Sequence, residues 1–190
     1  MRMLKSLGPW LPWIAFLIIA QGSELRLEVG LVVALLLVVA LAALSLDRGL
    51  LMWVTLGFFA AMTIAVLVFH NAWTVQHFNA LANGALAVAS WGSLLLGRPF
   101  TLDVARQSVD PELWNHPIFL RVNRQITAVW AAAFTVNAAV AVAQVHEVIG
   151  DGVASAVSIA VLAAAVAFSS WYPKHVRSQA PTEGESGPPH

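Results

Sequence analysis

Leu31–Leu44 reads LVVALLLVVALAAL. No charged or polar side chain interrupts it, and it does not alternate. A strand of a membrane barrel would alternate in hydrophobicity with a period of two. Inside lipid, only a helix or a closed barrel satisfies its own backbone hydrogen bonds. The run therefore predicts a membrane helix. It extends to Val29–Leu46, close to the ~20 apolar residues needed to cross a bilayer.

Four other segments repeat the pattern almost without charge: 50–69, 78–97, 125–145 and 152–172. A shorter one, 7–21, carries Pro9 and Pro12 in its first turn, where the first helical N–H groups lack partners anyway. Arg2 and Lys5 before this short run also fit a secretory leader. However, Ile18-Ile19-Ala20-Gln21 is a poor cleavage site, so the segment is expected to be retained as a span. The expectation is an all-α polytopic membrane protein with six transmembrane helices. Its membrane domain covers residues 1–173, interrupted by one long amphipathic connector at 98–124. A disordered polar tail follows at 174–190, ending SQAPTEGESGPPH.

Composition agrees. The chain has 190 residues, 59% apolar and 11% charged, and its mean hydropathy is +0.76. An ordinary soluble domain is about 25% charged. A soluble enzyme, a basic nucleic-acid binder and a disordered regulator are all excluded on this ground, and no nucleic-acid partner is expected. Cysteine is absent, which removes disulfides, thiolate metal sites and catalytic thiols.

The basic residues give an orientation, because short cytoplasmic loops are enriched in Lys and Arg. With the N-terminus inside, Arg2, Lys5, Arg48, Arg98, Arg106, Arg121, Arg124, Lys174 and Arg177 are all cytoplasmic, and Arg26 alone is outside. Both termini are then expected in the cytoplasm. Most of the eight tryptophans fall near span ends, the usual position of aromatic belts.

The connector has internal signals. Thr101 is a candidate cap for a turn through Gln107. Asp110-Pro111 opens a second turn, which Pro117 is expected to close. Apolar Leu102, Leu113, Trp114, Ile118 and Phe119 among the charges suggest a segment lying on the membrane surface. It reads either as a connector pinned by snorkelling arginines or as a docking surface for a cytoplasmic partner through Arg98, Arg106, Trp114, Arg121 and Arg124.

Polar side chains also recur at helical spacing within the spans. Gln76, Asn79 and Asn83 share one face of the fourth span. Asn123, Thr127 and Asn137 share one face of the fifth, with Trp130 and Phe134. Such stripes are expected either to join the two helices by interhelical hydrogen bonds or to line a path for a neutral solute. No ionisable residue sits at mid-span, which argues against coupled transport. His70, His77 and His146, with Glu147, are weak candidates for a rim metal or haem site; their spacing matches no ligand signature. No acid pair, nucleophilic triad or phosphate loop is visible, so neither a catalytic residue nor a cofactor is expected.

The order of elements resembles the inner-membrane septation protein A family of bacteria. Leu11-Pro12 leads into a first span containing Phe16. Phe69-His70-Asn71 closes the third span ahead of Trp73. Trp91 precedes an Arg98-Pro99 exit. Pro111, Trp114, Asn123, Trp130, Ala131, Phe134 and Asn137 are similar to the family's pattern into the fifth span. The connector departs from the family: it reads Phe100-Thr101-Leu102-Asp103-Val104-Ala105-Arg106 in place of a leucine- and lysine-rich stretch. Residues 115–122 are extra, and the first outer loop has Glu24, Arg26 and Glu28 without the family's aromatics. The resemblance implies a non-enzymatic inner-membrane protein of the cell envelope, acting in septation through contacts with division and elongation proteins.

Overall fold

The computed structural model describes residues 11–20, 24–44, 49–106 and 109–179. The described residues form helices and turns, with no strand. Helix α1 is Leu11–Ile19, α2 Glu24–Ala43, α3 Leu50–Thr63, α4 Ala72–Gln76, α5 Phe78–Leu95, α6 Thr101–Arg106, α7 Pro117–Val145 and α8 Asp151–Ser178. Among the described residues, four helices are long and apolar enough to cross a membrane: Leu25–Ala43, Leu50–Val68, Pro117–Val145 and Asp151–Ser178. The expected first span is described only as the nine residues of α1. The expected fourth span is α5, whose 18 residues are diluted by Asn79, Asn83, Ser90 and Ser93. Arg2, Lys5 and Arg48, and the tail from residue 180, lie outside the described residues.

The chain packs largely in sequence order. α1 lies on α2, α2 on α3, α3 on α5, α5 on α7 and α7 on α8, with the α5–α7 seam the most extensive. The hydrogen bonds give the directions. Thr101, just past the end of α5, bonds to Asn123 and Thr127 near the start of α7. Leu50 N at the start of α3 donates to Asp103 Oδ2 at 3.4 Å. Gln144 near the end of α7 donates to Asp151 at the start of α8. The start of α3, end of α5, start of α7 and end of α8 therefore share one end of the bundle. That end carries Arg98, Arg106, Arg121, Arg124, Lys174 and Arg177, while Glu147 and Asp151 stand at the other.

The core is aromatic. Trp13 and Phe16 from α1, Phe58 and Phe59 from α3 and Phe78 from α5 form one ring cluster, with centroids 4.6 to 5.7 Å apart. Trp13 is not one of the tryptophans at an exposed span end. It is buried, and its indole Nε1 donates to the fully buried Thr55 Oγ1 at 3.0 Å. An indole N–H away from water needs an acceptor, and the threonine supplies one. Gly30 on α2 lets α1 approach closely, since a Cβ there would sit 3.1 Å from Ala20 Cβ and 3.3 Å from Phe16 Cδ2.

Three boundaries differ from expectation. α3 continues as a π-helical turn over Ile64–Val68, and the chain then reverses at His70, which has φ 49°. Asn71 restarts it by accepting from Thr74 N at 3.2 Å. Pro117 opens α7 instead of closing the turn before it: it sits at the first helical position, with His116 Nδ1 as the cap accepting from Ile118 N. A proline there loses no helical bond. The span expected from residue 125 is thus one helix from 117, and the connector is correspondingly shorter. Finally, α8 runs through Pro173 to Ser178, so residues 174–178 are helical where a tail was expected.

Candidate functional site

Two places carry chemistry: the connector at the basic end and the polar seam between α5 and α7. The connector begins with a glycine-terminated helix. Gly97, at φ 70°, ends α5, with Arg98 N donating to Ser93 O and Gly97 N to Leu94 O. This is the closure that glycine favours after a helix. Ser93 Oγ then accepts from Phe100 N at 3.3 Å, and Phe100 and Leu102 bury their side chains.

Thr101 docks the connector on α7. Its hydroxyl lies 3.0 Å from Asn123 O and 2.8 Å from Thr127 Oγ1, and Thr127 is fully buried. Further on, the Arg106 guanidinium sits 5.5 Å from the centroid of Trp114, a cation–π distance. Trp114 Nε1 donates to Val109 O at 3.0 Å. The segment expected to lie on the membrane surface is therefore folded in part against the bundle. Of its candidate residues, Arg106 and Trp114 come together, and Arg121 and Arg124 share a cleft on α7. Arg98 is exposed at the end of α5.

The polar stripe behaves differently from expectation. Asn83 Nδ2 donates to Asn79 O and Asn123 Nδ2 to Phe119 O, each on its own helix. Among the described residues, Thr127 alone of the stripe bonds to another element through its side chain, via Thr101. Asn137 is buried, and its Oδ1 has no partner among the described residues. A side-chain amide one turn below a carbonyl reaches its own helix more readily than a neighbour, which explains the asparagines.

The helices are instead joined by indoles. Trp91 Nε1 donates to Thr135 Oγ1 at 3.1 Å, linking α5 to α7. Trp130 Nε1 donates to Ser169 Oγ at 3.0 Å, linking α7 to α8. Each hydroxyl in turn donates to a carbonyl one turn back, Thr135 to Ala131 and Ser169 to Ala165. With Trp13 and Thr55, this makes three indole–hydroxyl links between helices. The sequence signal was a tryptophan on one helix and a lone Ser or Thr on another, which no spacing rule connects. The coupling between Trp130 and Ser169 is expected to be about 0.6 kcal/mol, and no more than about 1.7. Thermal unfolding of the purified protein, in a double-mutant cycle of Trp130→Phe with Ser169→Ala, measures this coupling.

At the acidic end, Gln76, Asn79, Gln144, Glu147 and Asp151 line a cleft of about 520 Å³. Gln144 Nε2 donates to Asp151 Oδ1 at 2.8 Å. Glu147 holds φ 57°, the left-handed turn that closes α7. Among the described residues, no three His, Asp or Glu side chains gather as a metal site. His77 Nδ1 donates to Trp73 O at 2.8 Å and its ring stacks on Trp73. His70 reaches only Val68 O, at 3.4 Å, and His146 ends α7.

No protein-family model, curated protein or solved structure matches the chain.

Proposed function

We propose that this is a six-span protein of a bacterial inner membrane, with both termini in the cytoplasm. It acts without catalysis, as a scaffold that affects envelope integrity or septation by binding other membrane proteins. The observation that carries this reading is the docked connector. Thr101 ties it to α7, and Arg106 at the end of α6 against Trp114 fixes a cationic, aromatic surface outside the long helices. A passive link between two spans has no need of these contacts, whereas a partner surface gains from being ordered before binding. Division and elongation proteins are the partners implied by the family resemblance.

A photo-crosslinking residue at the exposed Glu112 tests this in cells. Discrete adducts with envelope proteins are expected, and Thr101→Val combined with Thr127→Val should reduce them severalfold. No adducts, together with normal shape and division in a deletion strain, would overturn the reading.

The second reading is a path for a neutral solute between α5 and α7, favoured by the amide-lined cleft at the acidic end. Below that cleft, Phe78, Ala82, Leu86 and Phe134 belong to the packed core, which makes a scaffold the better supported of the two. Flux into proteoliposomes that falls in Asn83→Leu and Asn137→Leu would reverse this order.

A further inference from the structure

At the basic end, a cleft of about 350 Å³ lies between the end of α5 and the start of α7. Pro99 and Leu102 are its buried members, Leu94 and Leu120 extend the apolar lining, and Arg121 and Arg124 are its charged members. The two arginines stand three residues apart, so they share one face of α7. Both are exposed. Among the described residues, neither guanidinium has an ion-pair or hydrogen-bond partner. The nearby carboxylate of Asp103 instead accepts from Leu50 N. Leu95 and Leu96 beside the cleft are 87% and 77% exposed. Leucines this bare, in a helix packed against membrane-spanning neighbours, are accommodated by hydrocarbon.

We infer that this cleft binds the headgroup of one anionic phospholipid. Two unpaired guanidiniums supply the planar, forked donors that suit a phosphate. The apolar residues beside them suit the first carbons of an acyl chain. Basic pockets between membrane helices at the cytoplasmic face are the usual setting for such lipids. A zwitterionic lipid carries its own cation and gains less from the pair. The inference rests on the chain lying in a membrane and is independent of the scaffold role.

Native mass spectrometry of the full chain in detergent, titrated with phosphatidylglycerol or phosphatidylcholine, tests it. One phosphatidylglycerol is expected to bind at least about tenfold more tightly than phosphatidylcholine. Arg121→Gln with Arg124→Gln should abolish that preference, while Lys174→Gln with Arg177→Gln at the same end should keep it. Thermal unfolding of both variants checks that the fold survives. Glycerol phosphate should fail to displace the bound lipid. Equal affinity for the two lipids, a preference that survives in the arginine variant, or displacement by glycerol phosphate would each overturn the inference.

Discussion

Phe59→Ala is expected to lose about 3 kcal/mol of stability or more, the largest effect of any single substitution in the described core. Phe59 is fully buried and packs on Trp13, Phe16 and Phe58 at centroid distances of 4.9 to 5.7 Å. In lipid, the hydrophobic gain from bringing helices together is small, so association depends on close packing. Truncating Phe59 leaves a void where α1 and α3 meet, and the neighbouring rings cannot all move to fill it. Phe59→Leu keeps most of the volume and should cost less than half as much. Unfolding in mild detergent by titrated denaturant reads both. Equal midpoints for wild type and Phe59→Ala would mean that the aromatic cluster does not hold α1 on α3.

The second large effect is in topology, and it is all-or-none. The chain has no cysteine, so one introduced thiol reports one position. Glu112 lies in the connector at the basic end and Glu147 in the α7–α8 turn at the acidic end, both exposed. An impermeant maleimide added to intact cells is expected to label Glu147→Cys fully. Glu112→Cys should react only after the membrane is permeabilised. The reverse pattern would invert the orientation. Labelling of both from one side would overturn the reading that α7 crosses the bilayer. The expectation follows from the concentration of Arg and Lys at the connector end, which cytoplasmic loops favour.

Much of the helical framework was legible from composition. Runs such as Leu31–Leu44 leave lipid-stable helices as the economical solution, and four helices among the described residues are long and apolar enough for the purpose. The ends were read less well. Pro117 carries two valid local readings, as a stop and as a first helical residue. Only His116, with its ring nitrogen free to accept from Ile118 N, selects the second. The polar stripe does not form one face: Gln76 ends α4 while Asn79 and Asn83 lie on α5, and Gln76 and Asn79 are exposed. Asn83 and Asn123 each find a carbonyl within their own helix at 2.9 Å, and helical spacing cannot say whether an amide turns inward or across. The contact of Arg106 with Trp114 depends on how the chain folds between them, which residue spacing does not show.

The sequence by itself determined the helical class, the long apolar helices, and the gathering of Lys and Arg at one end. These follow from local composition, since lipid rejects unpaired backbone and charge wherever they occur along the chain. Only the tertiary structure decided which indoles bond to which hydroxyls, that α1 enters an aromatic core, and that the connector folds back onto α7. Those pairings join residues tens of positions apart, such as Trp13 with Thr55 and Trp91 with Thr135. In helices of nearly uniform hydrophobicity, no periodic signal distinguishes one face from another. Shape and a few polar atoms choose the neighbours, and that choice exists only once the helices meet.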